Sequence, residues 1–253
     1  STGWAQTEVS GSIDSDETWT ADNSPYLVTG SDVRIGEQAT LTVEEGVVVK
    51  FQDVESSSFY RRRSMEVAGT LDLQGTASNP VVFTSEHDDE HGGQTSSSDP
   101  SRGDWGAIEF EETGLANTFE HALVRYAGAD GNRNVGAALL IEGGGSEAGE
   151  GMTVRNVTLE QSANSALRVD NASPTIENVT FQENSVPIEQ RGHRTPDYNN
   201  LTFTDNSRDV VVVRGTIGSS SAETTTTWPE IDPEVPYLVT GSDVRIGEQA
   251  TLT

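Results

Sequence analysis

Apolar and polar residues alternate along several short stretches of this chain. Thr153–Leu159 reads T-V-R-N-V-T-L and Thr175–Phe181 reads T-I-E-N-V-T-F. A period of two places alternate side chains on opposite faces of a β-strand, one of them buried. No segment carries a sustained 3.6-residue stripe, and Gly, Asn, Asp and Ser interrupt the pattern every few residues, so helices are expected to be minor. Earlier strands are predicted at Asp32–Ile35, Thr40–Val43, Val47–Phe51, Met65–Ala68, Thr70–Leu73 and Val81–Thr84. Later ones are predicted at Ala107–Phe110, His121–Tyr126, Ala137–Ile141, Ala166–Val169 and Val210–Arg214. Two stretches lack the alternation and read as exposed loops inserted between strands, residues 52–64 and 86–102.

The alternating runs recur at a fixed distance. Asn156, Asn178 and Asn200 each open an N-x-T-[LF] segment, and both gaps are 22 residues. Such a period marks stacked repeats, in which one unit cannot bury its apolar face without its neighbours. Each unit is then one coil of a β-solenoid of about 22 residues per coil. Roughly nine coils at ~4.8 Å would make a rod about 40 Å long. Leu159, Phe181 and Phe203 are expected to stack along the axis, and Asn156, Asn178 and Asn200 to form an amide ladder at a turn.

A longer repeat is stricter. Pro25–Thr42 and Pro236–Thr253 are the same eighteen residues, PYLVTGSDVRIGEQATLT, 211 positions apart. Upstream, V-S-G-S-I at Val9–Ile13 answers V-R-G-T-I at Val213–Ile217, and Trp19 and Trp228 each precede the repeated Pro-Tyr. Packing alone does not hold exposed polar positions identical, so this is a duplication. The expected organisation is a linker and N-terminal cap (1–24), a β-helical module (25–218), a linker (219–235) and the start of the next tandem module (236–253). The second copy stops at Thr253, where the first runs on into Val43, and the intact protein is expected to continue into a further module. Trp19, Pro25, Tyr26, Trp228, Pro236 and Tyr237 mark the module junction.

With these stretches in view, the chain resembles secreted microbial proteins built of right-handed parallel β-helix repeats, of the pectate-lyase-like superfold. The resemblance is carried by ATLTVEEGVVVKF at Ala39–Phe51, VAGTLDLQGTASNPVVFTS at Val67–Ser85, GDWGAIEF at Gly103–Phe110 and VRYAG at Val124–Gly128. It implies an all-β, right-handed parallel β-helix, a single-stranded solenoid with two loop insertions. The group includes adhesins and surface repeat proteins as well as polysaccharide lyases and hydrolases, and fold alone does not choose among them.

Charge narrows the partners. Forty-one acidic residues face fifteen basic ones, a net charge of -26, and Lys50 is the only lysine. That much like charge opposes compaction at low ionic strength, whereas the Debye length shrinks to about 3 Å in molar salt. The composition resembles that of extreme halophiles, of the haloarchaeal type. No basic face exists to displace phosphate counterions, which argues against nucleic acid. There is no cysteine, hence no disulfide or thiolate site. No apolar run reaches the ~18 residues of a membrane span.

Candidate chemistry is sparse. His87, Asp88, Asp89 and His91 form an H-x-x-x-H stretch with acids between, a weak metal candidate because nothing there is helical. A calcium site of the lyase kind would need carboxylates on adjacent coils. A hydrolase of the polygalacturonase kind would need aspartates on successive strands beside a Gly-His and a basic clamp. Asp88-Asp89 and Gly192-His193-Arg194 supply only fragments of it, and no catalytic residue or cofactor is assigned. Asn171, in N-A-S and outside the 22-residue register, is the glycosylation candidate. Phe59, Tyr60, Arg61, Arg62 and Arg63 are the one aromatic-basic cluster and a candidate inter-module contact. The reading that follows is a structural module of a cell-surface, extracellular filament, stalk or adhesin, with further copies of itself as head-to-tail partners, possible bundling of the filaments, and no nucleic acid or membrane. The alternative is a polysaccharide-degrading or glycan-binding β-helix.

Overall fold

The computed structural model describes residues 6–54, 62–111, 117–130, 136–143, 151–217, 224–240, 244–246 and 250–253. The chain opens with β1 (Thr7–Ile13) and β2 (Glu17–Trp19), then a 3-10 turn at Ala21–Asn23, β3 (Tyr26–Ile35) and β4 (Thr40–Val43). Next come β5 (Val48–Phe51), β6 (Met65–Val67), β7 (Thr70–Leu73), β8 (Val81–Ser85), β9 (Ile108–Phe110) and β10 (Thr118–Glu120). The middle holds β11 (Ala122–Arg125), β12 (Ala137–Glu142), β13 (Thr153–Glu160), β14 (Ser165–Asp170), β15 (Thr175–Gln182) and β16 (Val186–Arg191). The remainder is β17 (Asp197–Asn199), β18 (Thr202–Thr204), β19 (Val211–Arg214), β20 (Thr216–Ile217), β21 (Thr224–Thr226), β22 (Tyr237–Val239), β23 (Arg245–Ile246) and β24 (Ala250–Leu252).

Every strand pairing among the described residues is parallel, and strands inside the stack such as β11, β13 and β15 pair with strands of the coils before and after them. The registers line inward side chains into three columns. The first runs Tyr26, Val49, Phe83, Val124, Leu159, Phe181, Phe203. The second runs Val33, Met65, Ile108, Leu139, Leu167, Ile188, Val211, Tyr237. The third includes Phe119, Val154, Ile176 and Tyr198. The chain is thus a parallel β-helix of three faces around one buried core. Leu159 and Phe181 are fully buried, and the Phe181 and Phe203 rings stack at 5.4 Å. A one-residue slip of β13 would turn Leu159 outward, so burial itself fixes the register.

Both insertions leave at the corner between the first two columns, where Phe51 gives way to Met65 and Ser85 to Ile108. Stacked there, they grip one another: Asp53 N donates to Glu86 at 2.8 Å, and His87 Nε2 lies 3.5 Å from Asp53 Oδ2. Within the expected linker and cap segment 1–24, residues 7–13 pair into the stack. Gly11 bends β1 without ending it, and Thr7–Val9 and Gly11–Ile13 lie on Tyr26–Val28 and Val33–Ile35 as a coil of the stack. Within the expected linker 219–235, β21 pairs with β24 and Trp228 stacks on Tyr237.

Candidate functional site

Where the expected surfaces carry chemistry, they do so through hydrogen bonds and ion pairs that tie one coil to the next. Asn156, Asn178 and Asn200 occupy the corner between the third and first columns, each with a positive φ of 50° to 54°. Asparagine tolerates this left-handed geometry better than most residues. Asn178 Nδ2 donates to Asn156 Oδ1 at 3.3 Å and Asn200 Nδ2 to Asn178 Oδ1 at 2.6 Å. A second ladder, unrecognised in the sequence, lies at the corner between the first and second columns. Ser162 N donates to Asn184 Oδ1 and Asn184 N to Asn206 Oδ1, both at 2.9 Å. Asn184 Nδ2 also reaches Leu159 O at 2.9 Å, with Asn184 fully buried. Its signal was present, since Asn184 and Asn206 repeat at the same 22-residue spacing.

The loop 86–102 covers a dense polar cluster. Lys50 is fully buried on β5, and its Nζ donates to Asp88 O at 2.8 Å and to Thr95 Oγ1 at 3.1 Å. Burial lowers the Lys50 pKa, against the opposing charges of Asp88, Asp89 and Glu86. Asp88 would be pushed up by burial, but hydrogen bonds from His91 and Thr84, with the Arg125 charge, hold it below the ordinary value. Burial raises Glu86 and Glu160; His87 opposes this at Glu86, as Arg125 does at Glu160.

The four metal candidates do not converge. His87 Nδ1 lies 2.6 Å from Ser96 Oγ, and Asp89 is exposed. Asp88, Glu90 and His91 do come within 4.8 Å of one another, but around a guanidinium. Arg125 Nη1 sits 3.5 Å from Asp88 Oδ2, 2.9 Å from Glu90 Oε2 and 3.1 Å from His91 Nδ1. Arg125 Nε also meets Glu160 at 2.9 Å. The cation this triad holds is therefore an arginine from the next coil. His193 belongs to the corner after β16, three coils from Asp88, so the hydrolase-like fragments do not form one site.

On the second face, acids and arginines gather on neighbouring strands. Asp170 lies opposite Arg191, which lies opposite Arg214. Glu189 meets Arg191 at 2.7 Å and Arg214 at 3.2 Å. Glu189, Arg191 and Arg214 border an open groove of about 860 Å³, lined also by Asp130, Asn164 and Arg208.

At the repeated segment, Trp19 stacks on Tyr26 with ring centroids 4.8 Å apart, and Trp228 on Tyr237 at 5.2 Å. Burial pushes the Tyr237 hydroxyl up to about 12. Pro25 is buried and Pro236 exposed. Asn171 is half-buried with a φ of 52°, beside Gly192. Of the aromatic-basic cluster, Phe59, Tyr60 and Arg61 lie outside the described residues. Arg62 turns to Asp53 and to Asp104 O within this chain, and Arg63 is half-buried. Among the described residues no helix is long and apolar enough to cross a membrane.

The model of one family, the pectate-lyase-like β-helix domain, matches residues 11–141. No curated protein and no solved structure matches the chain.

Proposed function

This chain belongs to the pectate-lyase-like β-helix family, and we propose that it serves as the repeating unit of an extracellular rod, a filament, stalk or adhesin shaft, in concentrated salt. The observation that carries this reading is the parallel seating of β22 on β19. There the second copy of an eighteen-residue segment extends the same stack that holds the first copy. An enzyme needs one catalytic site, whereas a rod needs repeated coils that satisfy one another end to end. Ladders of asparagine amides and ion pairs between coils supply stiffness. Concentrated salt screens the net charge of -26, whose self-repulsion would otherwise oppose compaction of the stack.

Imaging of the native material tests the reading. Seven ladder steps lead from Val33 to Tyr237 in the second column. At ~4.8 Å per step, and with the change of face, the axial repeat is roughly 35 Å. Filaments with that repeat are expected; dispersed globular particles would overturn the rod.

The groove beside Glu189, Arg191 and Arg214 favours a second reading, in which the same face binds or cleaves an acidic glycan. Saturable binding of a uronate polymer, lost on Arg191→Ala, or an unsaturated sugar product would establish it. Neither on a panel of polysaccharides would dismiss it.

A further inference from the structure

Residues 25–42 and 236–253 are identical, so any difference in their surroundings reports on neighbours and not on sequence. On one side both copies are held alike. Thr7–Val9 lies along Tyr26–Val28 as Val211–Val213 lies along Tyr237–Val239. Ser12–Ile13 lies along Arg34–Ile35 as Thr216–Ile217 lies along Arg245–Ile246. The Trp-Tyr stack recurs in both.

On the other side they differ. In the first copy Phe51 pairs with Val28 and Val67 with Ile35, and both inner residues are 0% exposed. Their counterparts Val239 and Ile246 are 50% and 52% exposed, the large hydrophobic side chains left open among the described residues. A parallel strand edge with open valine and isoleucine is a template for one more strand. The first copy shows which strand fits.

We propose that successive copies of this unit share one uninterrupted β-helix, in which the open edges of β22 and β23 seat strands of the β5 and β6 kind from the next copy. This joint rests on the rod reading above. It carries a rotation as well. Tyr26 stands in the first column, but Tyr237 stands under Val211 in the second. Each copy therefore enters the helix one face further round. The corner that bears the two insertions moves by about a third of a turn per repeat, and the loops project to three sides in turn.

The chain has no cysteine, so single thiols report cleanly. Val28→Cys and Val239→Cys are placed separately in this chain and in a chain where Thr253 is followed by a second copy of residues 43–217. Val28→Cys should resist a maleimide in both. Val239→Cys should label readily in the shorter chain and at least about tenfold more slowly in the longer one, reaching the rate of Val28→Cys. Equal labelling of Val239→Cys in both chains would overturn the joint. The longer chain without any substitution gives an independent reading by limited proteolysis: one resistant body is expected, and cleavage into two resistant halves would also overturn it. The rod fails separately. Native material without filaments, with Val239→Cys protected, would sink the rod and keep the joint; filaments of separable beads, with Val239→Cys reactive, would do the reverse.

Discussion

Asn178 and Asn184 show how differently one residue type serves this fold. Asn178 is exposed and sits at a left-handed corner, where its amide is one rung of a solvent-facing ladder. Asn184 is fully buried, and its carboxamide satisfies two backbone groups, Ser162 N and Leu159 O. Removing the buried amide leaves both groups unpaired away from water. Asn184→Ala is therefore expected to cost about 2 kcal/mol in urea unfolding, while Asn178→Gly, which keeps the corner geometry, costs only a few tenths. Titration acts at this scale too. Glu86 and Glu160 have folded pKa values above their ordinary 4.5, so the folded chain binds more protons than the unfolded one in between. Their contribution to stability grows as pH falls through those raised values. Asp88 is lowered below its ordinary 3.8, and the stability it supplies is present above that value and lost as pH falls through its folded one. At fixed high salt the two glutamates should raise the melting temperature as pH falls through their range, against the loss that the lowered His193 adds below its ordinary 6.5. Asp88 should then bring it down. A steady fall through the range of the glutamates would contradict these assignments.

At the scale of strands and loops, Lys50 ties the 86–102 insertion to β5, because its buried ammonium needs the carbonyl of Asp88 and the hydroxyl of Thr95. Lys50→Met keeps the stem and removes the donors, at a cost of about 2 kcal/mol. Proteolysis within 86–102 should accelerate while the β13–β16 coils keep their hydrogen-exchange protection; loss of protection throughout would show that the lysine supports the core instead. The strands were legible where apolar residues alternated cleanly, as in Thr153–Leu159, because burial on one face leaves that trace. β1 was not, since Ser10, Gly11 and Ser12 mask the alternation while Ile13 alone is buried. The contents of the loop were equally hidden. That His87 and His91 would part, and that Arg125 from a later coil would fill the acidic triad, depends on contacts between distant residues that no local pattern encodes. The column of positive φ at Tyr126, Gln161, Glu183 and Asp205 left no trace either, because four unlike residues share one backbone geometry.

For the molecule as a whole, the 22-residue period was enough to predict a solenoid, because stacking is the one way such short units bury a shared face. The strict duplication was legible as well, but not its geometry: separate modules joined by a linker leave the same sequence as one stack that runs on. Net charge works at this scale. With -26 distributed along the chain, raising KCl from 0.1 M to 2 M should lift the melting temperature by about 5 °C or more. A melting temperature indifferent to salt would remove the halophilic element of the account. The central claim, that the second copy is seated in the stack, is tested most directly by a distance. Arg34 and Leu238 lie in one ladder, joined through Glu66, Glu109, Leu140, Arg168, Glu189 and Val212. Seven steps separate them, roughly 34 Å. Spin labels on Arg34→Cys and Leu238→Cys, measured by double electron–electron resonance, should give one narrow distance distribution near that value. A broad distribution, as from a segment swinging on a linker, would contradict it.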